Sequence, residues 1–330
     1  MEEILKLKKA VVTSVALAFL AQMSLANASF FSDTGSAVTL TILHNNDGES
    51  ALLPDQSYKT SQGTLMFGGA AGFSTVMKRE AKAAKAANNA LLSVYAGDSF
   101  LASKLLICSE PANPKSTATV YDGIAQSMMP YDVHVLGNHE FDYGTGFLKR
   151  YIESFSSKAR YPFISGNMDF TTNDDLSSLV NKKEPILRGL LVGKKLGQSY
   201  IHKDYNTGAI FGVVSAITPT LRTISSPGTA KVTSSDIATT AALINKQVEG
   251  LQAKGVNKII LVSHLQGVAY DKQLIALLKD VDVAIAGGGD DLLTSPDVPE
   301  SIQLIPGEGK PVGKYPEMVK DANGVDVPLI

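Results

Sequence analysis

Five polar residues of this chain stand at or just past the end of a short apolar run. Asp47 follows VTLTILH (38–44), Asp98 closes ALLSVYAGD (90–98), Asn138 closes DVHVLGN (132–138), His264 ends KIILVSH (258–264), and Asp290 follows VDVAIAGG (281–288). Each run reads as a β-strand, and α/β sheets present their ligands at the C-terminal ends of strands. One aspartate at such a point is an ordinary turn former or helix cap. Carboxylate, amide and imidazole groups at five strand ends converge instead on a metal site, and the mixed oxygen and nitrogen set suits Mn, Mg, Fe or Zn.

The chemistry such a cluster serves is hydrolysis of a phosphate ester. Two divalent ions about 3.5–4 Å apart generate a nucleophile near neutral pH and offset charge on the phosphate oxygens. Asp98 is the candidate bridge between them, because a carboxylate offers two oxygens and Gly97 lets the loop approach closely. Asp47 and Asn138 flank it, and His264 supplies a neutral ring nitrogen. GNHEFDYG (137–144) is the sharpest motif. It sets Asn138 beside His139, with Asp142 three residues on, so that Asn138 meets metal, His139 meets the phosphate or protonates the leaving oxygen, and Asp142 orients the imidazole.

The elements that must position these residues alternate along the chain. Besides the strands above, PFISGN (162–167) and AIFGVVSA (209–216) read as strands. Helices are expected over 68–87, around 116–128, from Ser235 to about Ala253, and over 271–279. In the first helix Phe73, Val76 and Met77 form an apolar face and Lys78, Lys82 and Lys85 a solvated one. The pattern is that of an α/β protein with strands buried on both faces.

With 44% hydrophobic residues and 19% charged ones in 330, the chain has material for a large core. Its net charge of -2 provides no field for a nucleic acid duplex, so a small molecule is the expected partner. Lys6, Lys8 and Lys9 precede AVVTSVALAFLA and a small-residue Ala26-Asn27-Ala28 site, the pattern of a secretory signal over 1–28. That run is short of the roughly 20 residues a membrane span needs, so no stable anchor is expected after cleavage and the product is periplasmic or secreted. Cys108 is the single cysteine, which precludes an intrachain disulfide.

TILHNNDGE (41–49), YAGDSF (95–100), GNHEFDYG, YPFISGNM (161–168), VSHLQG (262–267) and VDVAIAGGGD (281–290) together resemble the calcineurin-like metallophosphoesterases, and among them the catalytic domain of bacterial 5'-nucleotidases. The resemblance covers about 38 to 290. It implies a four-layer α-β-β-α sandwich over 29–330, truncated at its C-terminus, with two divalent ions. It implies Asp47, Asp98, Asn138 and His264 as ligands, Asp98 as the bridge, and His139 with Asp142 as the catalytic pair. A metal-bridging hydroxide attacking a nucleotide monoester is the implied reaction. A cyclic phosphodiester or broad phosphatase activity, and a non-catalytic metal- or ligand-binding role at the envelope, are the alternatives.

Three departures stand out. Glu49 replaces the histidine of the family's Asp-x-His block, and Gly288 and Asp290 stand where the last block carries His and His or Gln. Asp47, Glu49, Asp98 and Asp290 then form a nearly all-carboxylate site, which favours Mn, Mg or Ca over Zn. The partner site keeps Asp98, Asn138 and His264 but has no histidine at Gly288, which leaves it weak, completed by water or filled by Asp291. The third is the stretch beyond Asp290, Pro- and Gly-rich and closing on DANGVDVPLI, where Asn323-Gly324 marks a hairpin turn. His44, His134 and His202 are read as structural, with His202 in a polar loop.

Overall fold

In the computed structural model, residues 37–54, 56–61, 63–155, 161–187, 195–295 and 310–330 are described; the expected signal segment 1–28 lies outside them. The apolar runs form strands, and they sort into two sheets. The first is parallel throughout: β1 (Leu40–Asn45), β2 (Ala90–Tyr95), β3 (Val133–Val135), β4 (Phe163–Ile164) and, on its far edge, β6 (Leu196–Gly197). The second is mixed. It contains β5 (Ile186–Leu187), β7 (Ser199–Lys203), β8 (Ile210–Ile217), β9 (Ile259–His264), β10 (Val283–Ala286), β11 (Glu317–Lys320) and β12 (Asp326–Leu329), in the order β11-β12-β10-β9-β8-β7-β5.

Side-chain alternation explains the layering. Leu92 and Val94 of β2, Val133 and Val135 of β3 and Ile164 of β4 face Tyr200, Phe211, Val213, Ile260, Val262 and Ile285 of the second sheet in one buried core. The opposite faces are covered by helices. Met77 of α1 (Ala70–Ala86) and Phe147, Leu148, Tyr151 and Ile152 of α3 (Gly144–Ser154) pack on the first sheet, with α2 (Tyr121–Ser127) beside α3. Ala241, Ile244, Val248 and Leu251 of α4 (Ile237–Gln252) and Leu274 and Ile275 of α5 (Val268–Ile275) pack on the second. The result is the expected four-layer α-β-β-α sandwich, with each buried aliphatic side chain contributing about 1.5–3 kcal/mol.

Several local expectations change in the fold. Val76 of α1 is exposed, and the inward stripe is Phe73, Met77 and Ala84. The helix expected over 271–279 starts earlier, at Val268. His202 lies in β7 and is buried, its Nε2 2.9 Å from the Leu91 carbonyl oxygen, because the strand continues through residues whose polarity suggested a loop. The hairpin expected at Asn323-Gly324 forms, with β11 and β12 antiparallel, and β12 pairs parallel with β10, so this segment supplies strands to the sheet edge. His134 is structural, stacked between Tyr95 and Tyr161, and burial pushes its pKa down to about 3.

Candidate active site

The loops after β1, β2, β3, β9 and β10 leave the sheets at the same end, and the parallel register brings β1, β2 and β3 to it together. Their backbones are tied to one another before any side chain is considered. Asp47 N–H donates to Gly97 O at 3.0 Å, Glu49 N–H to Asp98 O at 3.2 Å, and Ser50 N–H to Ser99 O at 3.3 Å. Asp47, Glu49, Ser50 and Asp98 all adopt positive φ, between 44° and 61°. L-residues visit that region at a cost of about 1–2 kcal/mol each, and such outliers gather at functional sites.

Among the described residues, Asp47, Asp98 and His264 form a group whose ligand atoms all lie within 4.8 Å of one another. His264 is fully buried; its Nδ1 lies 2.8 Å from Ala96 O and its Nε2 2.8 Å from Asp98 Oδ2. The carbonyl can only accept, so Nδ1 carries a proton. Nε2 and the carboxylate oxygen are then two acceptors face to face, and the place between them suits a cation, either a proton or a metal. Without a metal the proton wins: burial opposes it, but the Asp98 hydrogen bond and charge raise His264 to about 9. For Asp98, burial works against the charged form and is outweighed by the same partnership, so its pKa falls. Burial pushes Asp47 up to about 7, the mark of a carboxylate short of positive charge. The donor set therefore fits a divalent ion.

His139 forms the second half of the site. Its backbone N–H donates to Asp98 Oδ1 at 2.8 Å, its Nδ1 lies 2.6 Å from Asp142 Oδ2, and its Nε2 stands 3.9 Å from Asp98 Oδ2. The Asp142 hydrogen bond raises His139 to about 9, so the ring is protonated at neutral pH with Nε2–H directed to the cluster. The imidazole is about a quarter exposed and so open to a ligand.

The remaining sequence-chosen residues are placed less tightly. Asn138 is buried beside the cluster, its Oδ1 accepting from Gln266 Nε2 at 2.7 Å. Burial raises Glu49, which feels the charges of His139, Asp98 and Asp290. Asp290 is exposed and outside the tight group. Asp291 lies beside the start of α5, where its Oδ2 accepts the Val268 N–H. Gly288 itself is packed, and a Cβ there would stand 2.3 Å from Leu265 O and 3.0 Å from His264 Cδ2.

Sequence reasoning missed Glu140. Its buried carboxylate accepts the N–H groups of Asp98 at 3.0 Å, Ser99 at 2.6 Å and Gly137 at 2.6 Å, joining the loop of Asp98 to the loop of Asn138. Its place inside GNHEFDYG was the available signal. Ser225 was also missed; its hydroxyl donates to Asp142 Oδ1 at 2.9 Å, and nothing near it in sequence marks it.

No family model matches the chain. The 5'-nucleotidase of Homo sapiens is 30% identical over 297 residues, covering 88% of this chain and 44% of its own length. The NAD 5'-nucleotidase of Haemophilus influenzae is 28% identical over 300 residues, covering 87% and 41%. The solved structure of a 5'-nucleotidase precursor from Thermus thermophilus aligns with TM-score 0.65 at 28% identity, over 88% of this chain and 48% of that one. The calcineurin-like phosphoesterase YfkN from Bacillus subtilis, at 19% identity and TM-score 0.53, shares the fold. The chain thus spans less than half the length of these curated nucleotidase relatives.

Proposed function

Because this chain belongs to the metallophosphoesterase family of the 5'-nucleotidases, we propose that it hydrolyses phosphate monoesters, nucleotides in particular, with two divalent ions held by Asp47, Glu49, Asp98, Asn138, His264 and Asp290. The observation that carries the reading is the meeting of the Asp47, Asp98 and His264 donors with the His139–Asp142 pair, Nε2 of His139 being 3.9 Å from Asp98 Oδ2. Divalent ions bound there would lower the pKa of water and offset charge on the phosphate oxygens. The carboxylate-rich donor set favours Mn, Mg or Ca.

The protein's own groups divide the rest of the work. His139, protonated at neutral pH, donates from Nε2 to the departing alcohol oxygen. Asp142 holds Nδ1–H and stabilises the imidazolium, and Ser225 fixes the other Asp142 oxygen. Glu140 keeps the Asp98 and Asn138 loops in register through three backbone N–H groups. We also read 29–330 as the catalytic unit and 1–28 as the segment that exports it to the periplasm or the medium. Among the described residues no helix is long and apolar enough to cross a membrane.

The test is phosphate release from AMP, p-nitrophenyl phosphate and a cyclic nucleotide, with Mn, Mg, Ca or Zn restored after chelation, beside His139→Ala. Metal-stimulated release from AMP that collapses in the variant is the expected result. Equal rates in chelator, or with and without His139, overturn the proposal.

A further inference from the structure

The strained loops that carry Asp47 and Asp98 meet at one buried hydroxyl. Tyr95, the last residue of β2, is 1% exposed. Its hydroxyl accepts the Gly48 N–H at 2.9 Å and donates to Asp98 O at 3.2 Å, so a single group is bonded to both loops. The ring cannot drift. It stacks on His134 with centroids 4.8 Å apart and meets Tyr131 edge-on at 5.4 Å, while the Tyr131 hydroxyl donates to Asn45 Oδ1 at 2.6 Å at the root of the Asp47 loop.

The neighbour at position 48 is fitted to this arrangement. A Cβ on Gly48 would stand 2.5 Å from the Tyr95 hydroxyl oxygen but 3.5 Å and 3.7 Å from the ring carbons Cζ and Cε2. Only the hydroxyl excludes a side chain there. Gly48 is not among the positive-φ glycines, so its backbone imposes no such requirement. The steric demand at Gly48 and the hydrogen bonds of Tyr95 are thus one feature seen from two sides.

We propose that Tyr95 is a positioning residue of the metal centre, its hydroxyl setting the spacing of the Asp47 and Asp98 loops, and that Gly48 is glycine in order to admit it. The proposal rests on the metal reading above. Groups that orient metal ligands without touching the ion change affinity by about 10–100-fold when removed.

Calorimetric titration of Mn²⁺ alone into the chelator-stripped chain tests this, with urea unfolding of the same metal-free samples as the measure of fold. Tyr95→Phe is expected to weaken Mn²⁺ binding by about 10–100-fold with a much smaller change in the urea midpoint. Gly48→Ala is expected to weaken it too, and the double variant Gly48→Ala/Tyr95→Phe to bind more tightly than Gly48→Ala alone, since the clash is gone. Affinity of Tyr95→Phe within twofold of the parent, or a Gly48→Ala penalty that is the same in both backgrounds, overturns the inference while leaving metal binding intact. A parent chain that takes up no Mn²⁺ overturns the metal reading and this inference with it.

Discussion

Nε2 of His264 lies 2.8 Å from Oδ2 of Asp98, with Nδ1 of the same ring committed to the Ala96 carbonyl. Under the proposed metal reading a proton and a divalent ion would compete for these two atoms, and metal binding would be linked to pH.

The linkage has a definite sign in the metal-free protein. His264 rises from 6.5 to about 9 on folding, so its contribution is complete below about 6.5 and lost as pH climbs through about 9. Asp47 rises from 3.8 to about 7, which also removes stability as pH climbs across that window. Thermal unfolding in chelator should show Tm falling from about pH 5 to pH 9. Saturating Mn²⁺ should flatten or reverse the fall, and a Tm that rises with pH in chelator contradicts the assignment.

In the proposed reaction His139 is the proton donor, and the Asp142 hydrogen bond raises its pKa to about 9. His139→Ala should lower kcat by about 10²–10⁴-fold while Mn²⁺ affinity stays near that of the parent. Asp142→Asn replaces the carboxylate that raises the pKa with a neutral amide. The alkaline limb of the kcat profile should then move to lower pH, and a limb that does not move assigns the proton elsewhere.

Glu140 serves three backbone donors from within the core. Glu140→Gln turns one acceptor into a donor facing an N–H, which should destabilise the chain by about 2–3 kcal/mol in urea. Metal affinity should fall with it. An unchanged urea midpoint would show that the loops hold their register without this carboxylate.

Restoring a histidine at position 288 should not restore a ligand. The Cβ would press on Leu265 O at 2.3 Å and on His264 Cδ2 at 3.0 Å. Gly288→His is expected to cost about 1–3 kcal/mol of stability and to leave Mn²⁺ affinity equal or weaker. Tighter binding in the variant would show that the segment moves aside.

The strands of the central sheets and the positions of the donors were legible because an apolar, β-branched run ending in a polar residue is a local signal. Residues 38–44, 90–95 and 258–264 needed nothing distant to be recognised. His202 was misplaced because its neighbours Lys203 and Asp204 are polar; the strand is fixed there by pairing with β8. Glu140 and Ser225 escaped for a different reason. Their importance lies in which backbone or side-chain atoms face them, and those atoms belong to other loops.

The sequence by itself determined the chemistry available: carboxylates, an amide and two imidazoles at or beyond the ends of strands, since residue type and strand termination are written locally. The tertiary structure decided which of them meet. Asp98 and His264 are 166 residues apart and touch because one sheet packs face to face on the other. The same packing leaves Asp290 exposed and closes the space beside Gly288. Distances between loops follow from the register and stacking of whole sheets, a property of the assembled core that no single segment contains.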